Sequence, residues 1–397
     1  MGEKDRISLI EKIEETRKSR FISFITSDRI NLHQSIQSEI VPIIHEHLLT
    51  IPKDDRKKID LFLYSRGGSS DIPWTLVSMV REYCESGGFS VLIPFRCHSA
   101  ATMIAIGADE IVMGKKAELG PIDITLTKPN NPRDDITKDL LPISVEDVMG
   151  YFSLPETIGL NGRNKVEAFN QISSKINPLA LGAVNRSYEQ TKLVAKRLLE
   201  SRAEKMDEKS VNEVIKRIAS EIYSHNHAIN RSEAIKEIGL KHCVRAEDQG
   251  LEDILWDLYV EYRDLFDLNT VFDPNTYLIE NDIDEYTWTD LPIACVESKT
   301  RLDIQTKSVR INKIKNIPPK VHLELSNLQM PQINIPQLPQ GINQQQWIAL
   351  VEQTITQAVN QVILLAAENS AKQFINCLPP SGFQRMDYAV KWNSTVR

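Results

Sequence analysis

Short apolar runs alternate with longer stretches of helical spacing along the first 265 residues of the chain. The short runs are bounded by charged or turn residues and predict buried strands. The longer stretches place apolar residues three or four positions apart and predict helices. The predicted strands are 21–26, 59–64, 89–94 and 110–113, and the predicted helices between them are 35–49, 72–84 and 100–107. Because strands and helices that alternate over short connections form parallel sheets with helical crossovers, the pattern indicates an α/β fold.

The pattern changes beyond the alternating region, and these changes predict the domain organisation. A chain of 397 residues exceeds the usual size of one core, so a large domain with an appendage is expected. We predict an N-terminal helix at 1–20 and the α/β domain at 21–265. The segments predicted after it are a β-rich extension, a Pro/Gln/Asn-rich linker, an amphipathic helix and a tail, at 266–320, 321–346, 347–375 and 376–397.

The amphipathic helix at 347–375 presents one narrow apolar seam. Its apolar residues recur at alternating spacings of three and four, namely Ile348, Val351, Ile355, Ala358, Val362 and Leu365. Such a seam packs against one other surface. That surface is either the core of this chain, or a partner or second copy, and both interpretations stay open.

Composition and charge narrow the function classes. With 41% hydrophobic and 25% charged residues, the chain has the composition of a globular protein. A net charge of −7 argues against a general affinity for nucleic acid or an anionic membrane, since both require a basic surface. The longest apolar run near the C-terminus, 362–367, is shorter than the roughly 20 residues of a membrane span. We therefore expect neither nucleic acid nor a membrane as a partner.

The cysteines and the N-terminus predict a cytoplasmic location. The five cysteines are odd in number, scattered, and without the paired spacing of a metal site, which favours reduced thiols and no bound metal. The first 20 residues are charged throughout and contain no apolar segment of the kind found in secretion signals.

Candidate chemistry lies where two predicted strands end. Gly67 and Gly68 follow the strand at 59–64, and Ser99 follows the strand at 89–94 and begins a helix. Acyl transfer needs a nucleophile, two backbone donors for the developing oxyanion, and a base. The Ser99 hydroxyl, with the amide of Ala100 and those of Gly67 and Gly68, would supply the first two. Taken singly, a serine before a helix is more often a cap, and two glycines after a strand are more often a turn.

Two segments together resemble a known superfamily. The sequence SRGGS after a strand, and CHSAATMIAIGADEIVMG around Ser99, are similar to the oxyanion turn and nucleophile helix of the Clp protease/signal peptide peptidase/crotonase superfamily. Within it, the chain resembles the serine dehydrogenase proteinase family over roughly residues 21–265. The resemblance implies a ClpP/crotonase-like fold, a parallel-sheet ββα spiral, with Ser99 as nucleophile. It also implies Gly68 and Ala100 as donors beside Gly67, a polypeptide substrate, no cofactor, and a homo-oligomer.

The general base departs from the Clp pattern. Clp peptidases carry a histidine soon after the serine, but this chain has none between His98 and His225. Relatives of the signal peptide peptidases use a lysine. Two sets of candidates stay open, with a slight preference for the first residue named: His227 and His225 in a loop, or Lys192 and Lys196 on a helix.

Three further residues are predicted to belong to the pocket around Ser99. Together with the candidates above, they lead to a predicted function. His98 would form a wall of the pocket, and Ser69 and Asp123 would lie in it. The sequence therefore predicts a cytoplasmic serine hydrolase, namely a peptidase that works without ATP. Two other functions stay open: an acyl-thioester enzyme of the crotonase type, and a non-catalytic ring-forming scaffold whose C-terminal helix recruits partners.

Overall fold

A computed structural model describes residues 2–397 except 123–124, 127–128, 158–161, 222–226, 322–324, 326–327, 329–331, 336, 338–340 and 342. The chain divides into two compact units. Unit 1 contains Met1–Phe272, Asp290–Lys307 and Ala389–Arg397, and unit 2 contains Asp273–Thr289 and Ser308–Tyr388.

The described helices are numbered in chain order. They are α1 (Glu3–Arg17), α2 (Ile40–Thr50), α3 (Ile72–Arg81), α4 (Ala100–Ile106), α5 (Val145–Thr157), α6 (Gly162–Lys175), α7 (Pro178–Glu200), α8 (Glu208–Lys216), α9 (Arg231–Glu233), α10 (Glu252–Leu265), α11 (Pro274–Glu280) and α12 (Gln344–Cys377).

The described strands follow the same convention. They are β1 (Arg20–Thr26), β2 (Asp28–Arg29), β3 (Leu32–His33), β4 (Ile59–Tyr64), β5 (Phe89–Ile93), β6 (Arg96–Cys97), β7 (Glu110–Met113), β8 (Glu118–Leu119), β9 (Thr125–Leu126), β10 (Ile143–Ser144), β11 (Ile229–Asn230), β12 (Cys243–Arg245), β13 (Glu285–Ser298), β14 (Arg301–Lys315) and β15 (Pro380–Val396).

The chain contains a large sheet in the order β12-β7-β5-β4-β1-β13-β14-β15, and its strands from β12 to β1 belong to unit 1. From β12 to β1 each neighbouring pair is parallel, and β13 runs antiparallel to β1. The predicted α/β class with a largely parallel sheet is confirmed. Two of the predicted strands, 59–64 and 110–113, have the same bounds in the structure.

Side chains of the sheet alternate between two cores, because successive residues of a strand point to opposite faces. On β4, Leu61 and Leu63 join the core that also contains residues of α2, α3, α4, α7 and α8. Phe62 and Tyr64, which lie between and beside them, join a second core with residues of α1 and α10. Helices therefore cover both faces of the parallel strands, which explains why β1, β4, β5 and β7 are buried along nearly their whole length and are mostly apolar.

The segment before α2 is not helical, although the apolar spacing predicts a helix over 35–49. The helix begins at Ile40, and Ile36 instead pairs with the turn that follows β4. The Ile36 N–H donates to the Gly67 carbonyl at 2.8 Å, and the Ile36 carbonyl accepts from the Ser69 N–H at 2.9 Å. This long-range pairing satisfies backbone groups that a helix would otherwise use.

Unit 2 differs from the predicted boundaries at 266, 321, 347 and 376, because it combines 273–289 with 308–388. The predicted tail at 376–397 forms the strand β15 over most of its length. In unit 2 the Ser381 hydroxyl donates to the Ile314 carbonyl at 3.0 Å, which ties β15 to β14.

The predicted amphipathic helix lies within α12, which has 34 residues and no buried residue. Among the described helices it is the one that is long and apolar enough to cross a membrane, judged by length and composition alone. The sequence-based expectation that no membrane is involved stays a prediction.

A buried histidine in unit 1 leads to a pH-dependence prediction. His242 is 8% exposed, and neither ring nitrogen has a hydrogen-bond partner among the described residues. Burial, with a smaller contribution from the Arg202 charge, lowers the pKa of His242 from 6.5 to about 3. The folded protein therefore keeps this ring neutral at a pH where the unfolded chain takes up a proton, so stability is lost as pH falls below about 6.5.

We expect the free energy of unfolding to fall by about 2 kcal/mol more between pH 7 and pH 5 in the wild type than in His242→Leu. Urea titrations at the two pH values measure this difference, and any constant cost of the substitution cancels from it. Equal pH dependence in the two proteins would contradict the assignment.

Candidate active site

The turn after β4 and the start of α4 lie against each other. A Cβ atom placed on Gly67 would lie 2.7 Å from the His98 carbonyl oxygen and 2.7 Å from the Ser99 Cβ. The chain segments beside them are paired, since the Ser65 N–H donates to the Arg96 carbonyl and the His98 N–H to the Ser65 carbonyl, both at 3.0 Å. Only a glycine permits this contact, and Gly67 also has a φ of +101°.

The N–H of Gly68 points away from Ile36, the residue whose backbone pairs with the glycine turn. The neighbouring Gly67 carbonyl and Ser69 N–H both bond to Ile36, and a Cβ on Gly68 would lie 2.3 Å from the Ile36 carbonyl oxygen. Since successive backbone groups of an extended segment alternate in direction, the Gly68 N–H faces the other side. Within the part of the chain that the structure describes, neither this amide nor that of Ala100 has a recorded acceptor.

The Gly67 amide is already engaged. Its N–H donates to the Ser65 hydroxyl at 3.0 Å, and that hydroxyl in turn accepts from Thr26 at 2.7 Å. The sequence predicts Gly67 as part of the oxyanion hole. Its N–H is not a free donor, and its role is to let the turn lie close to Ser99. The Gly68 and Ala100 amides, by contrast, have no recorded acceptor among the described residues.

Ser99 has an unusual backbone conformation, with φ 53° and ψ −117°. A residue with a Cβ atom rarely adopts a positive φ, because the conformation costs about 1 to 3 kcal/mol of stability. Residues with such strained backbones cluster at functional sites. The residue precedes α4, yet its side chain makes no capping hydrogen bond. The ordinary interpretation of Ser99 as a helix cap is therefore wrong, and its half-buried hydroxyl is left for another role.

Ser99 lies in a cleft of about 850 Å³ in unit 1. The cleft also contains Gly67, Gly68 and Ser69 from the turn, and Met103 and Ile122 form part of its apolar surface. Among the described residues there is no group of three or more histidine, cysteine, aspartate or glutamate side chains that could hold a metal ion.

The structure places the other predicted pocket residues as follows. Ala100, the residue after Ser99, is buried. His98 does not line the cleft: its ring lies against Gly120, and its Nε2 is 3.1 Å from Glu118 Oε1. Burial lowers the pKa of His98, although the Glu118 carboxylate acts in the opposite direction. Asp123 lies outside the described residues.

The predicted bases are not brought to the cleft within one chain. Lys192 Nζ lies 3.4 Å from Glu189 Oε1, and Lys196 Nζ lies 3.2 Å from Glu208 Oε1. His227 Nε2 lies 2.7 Å from Glu233 Oε1. None of these side chains lines the cleft, although Ser187 and Gln190 of the lysine-bearing helix α7 do. His225, the remaining candidate, lies outside the described residues.

A short hairpin supplies cleft residues that the sequence patterns did not identify. Strands β2 and β3 pair Asp28 with His33, and both residues line the cleft, as does Arg66. Two-residue strands are too short to produce a detectable alternation of polar and apolar positions. The one local signal was the position of Arg66 beside the two glycines.

Comparisons with known proteins leave the function of the chain open. No protein-family model matches the chain. The chain is similar to two uncharacterized proteins of Methanocaldococcus jannaschii. One is 22% identical over 242 residues, which are 59% of this chain and 70% of that protein. The other is 27% identical over 124 residues, which are 30% of this chain and 42% of that protein.

The backbone of Ser99 leads to a stability prediction. Ser99→Gly and Ser99→Ala both remove the hydroxyl, but only glycine accepts a positive φ without a steric penalty. We therefore expect Ser99→Gly to be more stable than Ser99→Ala by about 1 kcal/mol, measured by urea unfolding.

The matched pair at Ser38, an exposed residue whose φ is not positive, is the control. There the glycine variant should be no more stable than the alanine variant. The same order of stability at both positions would show that Ser99 is not strained.

Proposed function

We propose that the chain is a serine hydrolase with a ClpP/crotonase-like fold, and that it acts as a peptidase without ATP. The observation that carries the proposal is the strained, uncapped Ser99 beside a diglycine turn, with the amides of Gly68 and Ala100 free of recorded partners among the described residues. A strained serine at a sharp turn between a strand and a helix is the arrangement that exposes a nucleophile in other hydrolases. The resemblance of the two segments to the Clp protease superfamily supports the same assignment.

In the proposed reaction, the Ser99 Oγ attacks a peptide carbonyl while a base removes its proton. The carbonyl oxygen becomes an oxyanion that accepts hydrogen bonds from the Gly68 and Ala100 amides. The C–N bond then breaks, the base returns the proton to the departing amine, and an acyl-enzyme forms on Ser99. Water, activated by the same base, attacks the ester and releases the free acid and the serine hydroxyl.

His33 is the first candidate for the base. It is the one histidine among the described residues that lines the cleft containing Ser99, and its side chain is exposed with no recorded hydrogen bond. A histidine acts as a general base when it is within hydrogen-bond reach of the nucleophile in the substrate complex. The other candidates for the base come from the sequence. Because superfamily members assemble into oligomers, a second copy of the chain could supply the base to the cleft from one of these residues: Lys192, Lys196, His225 or His227.

The carboxylates of the cleft favour a hydrolase over an acyl-thioester enzyme of the crotonase type. Such enzymes use free carboxylates for acid and base chemistry. Here the Asp28 carboxylate accepts bonds from Tyr64, Arg66 and Arg96, and Asp71 accepts one from Gln190 at 2.6 Å. Both carboxylates are therefore engaged, whereas the hydroxyl of Ser99 is not.

An activated serine should react with a fluorophosphonate probe. We expect the wild-type chain to be labelled covalently and Ser99→Ala to lose labelling completely, detected by intact-protein mass spectrometry. Ser38→Ala, a change at an exposed serine, is the matched control and should be labelled like the wild type. An unlabelled wild type would support the scaffold or the acyl-thioester function instead.

The base is tested by the rate of the same labelling reaction. We expect His33→Ala to slow labelling of Ser99 at least a hundredfold, because a positioned base contributes at least that factor. Lys192→Ala, Lys196→Ala, His225→Ala and His227→Ala are measured in parallel. A slow reaction in one of these and a normal rate in His33→Ala would transfer the role to that residue.

A further inference from the structure

Arg66 occupies a distinctive position in the cleft. It lies between the end of β4 and Gly67, so it directly precedes the turn whose second glycine offers a free amide. Its side chain is 50% exposed, and it lines the same cleft as Ser99. A charged group at this place can reach a substrate bound to the oxyanion turn.

One edge of the Arg66 guanidinium is anchored and the other is free. Its Nε donates to Asp28 Oδ2 at 3.2 Å. Asp28 is itself held in place, because its side chain is 5% exposed and it accepts from Tyr64 Oη at 2.7 Å and from Arg96 Nη1 at 2.6 Å. Within the described residues, the two terminal nitrogens of Arg66 have no recorded partner.

The other arginines near Arg66 are engaged by carboxylates. Arg96 Nη1 lies 2.6 Å from Asp28 Oδ2, and its Nε lies 3.5 Å from Glu118 Oε1. The other arginine of the cleft, Arg29, is occupied: its Nη2 lies 2.6 Å from Asp267, and its Nε donates to the Thr270 carbonyl. Arg66 is therefore the cleft arginine with free donors.

Arg66 is also close to the candidate nucleophile. It directly precedes Gly67, and a Cβ placed on Gly67 would lie 2.7 Å from the Ser99 Cβ. Arg66 and Ser99 both line the same cleft. A substrate carboxylate held by Arg66 would thus be near the scissile carbonyl.

We propose that Arg66 binds a carboxylate of the substrate next to the scissile bond, and that the enzyme therefore prefers acidic peptides. The inference rests on the proposed hydrolase function and adds its substrate class. An arginine presents two parallel N–H groups that match a carboxylate, and anchoring through Nε fixes their direction before the substrate binds. The carboxylate comes either from a glutamate or aspartate side chain or from the C-terminus of the peptide.

Peptidyl phosphonate probes that differ only in glutamate against glutamine at the residue attached to the phosphorus test the side-chain source. We expect Ser99 in the wild type to react at least tenfold faster with the glutamate probe, and this ratio to fall to about one in Arg66→Met. Arg66→Lys keeps the positive charge but not the two parallel N–H groups of the guanidinium, so its ratio should lie between those of the wild type and Arg66→Met. A second pair of substrates, with a free or an amidated C-terminus, measures the other source in the same way.

The control is Arg217→Met, since Arg217 is a partly exposed arginine that lies near the Glu213 carboxylate and does not line the cleft. It should keep the wild-type ratio. Equal rates with acidic and neutral members of both pairs in the wild type, while Ser99 is still labelled, would overturn the role of Arg66 alone. A wild type that reacts with no phosphonate and no fluorophosphonate probe would overturn the hydrolase function as well. If Arg66→Met does not fold, the wild-type ratios together with Arg66→Lys decide the question.

Discussion

The candidate site depends on one steric constraint, the contact between the backbone of Gly67 and the start of α4. A Cβ on Gly67 would meet the His98 carbonyl and the Ser99 Cβ at 2.7 Å, so only glycine allows the two turns to lie this close. The same contact brings Ser99 and the glycine turn into one cleft, which Gly68 also lines. Without it, a serine at the end of one strand and a free amide at the end of the next would be separate, ordinary features of an α/β fold.

The surrounding core explains how a strained residue is tolerated. Every residue of α4, from Ala100 to Ile106, is buried, and the segment before Ser99 is paired with Ser65 on the neighbouring strand's extension. Strain persists only where packing on both sides fixes the backbone. The parallel sheet and its helices thus supply the free energy that holds Ser99 in its conformation, and a flexible loop could not do so.

Ion pairs at one end of the cleft fix the orientation of Arg66. Asp28, buried at the end of the cleft, is bonded by Tyr64 and by two arginines, and it orients Arg66 rather than acting as a free carboxylate. Under the proposed function, the cleft would combine a nucleophile, donors for a developing negative charge, and a guanidinium held in place at one end. Such a cleft would suit a substrate that carries a carboxylate.

Local patterns in the sequence were sufficient for the strands at 59–64 and 110–113, for the α/β class, and for locating Gly68 and Ser99 beyond the ends of neighbouring strands. Each of these follows from periodicity or from the residues beside a strand end, which are properties of consecutive positions. Only the tertiary structure decided that Ile36 leaves its predicted helix to pair with the glycine turn, that His33 and Arg66 share the cleft with Ser99, and that Lys192 and His227 do not within one chain. Those outcomes depend on contacts between residues far apart in sequence, and no local spacing encodes which distant backbone or charge a side chain will meet.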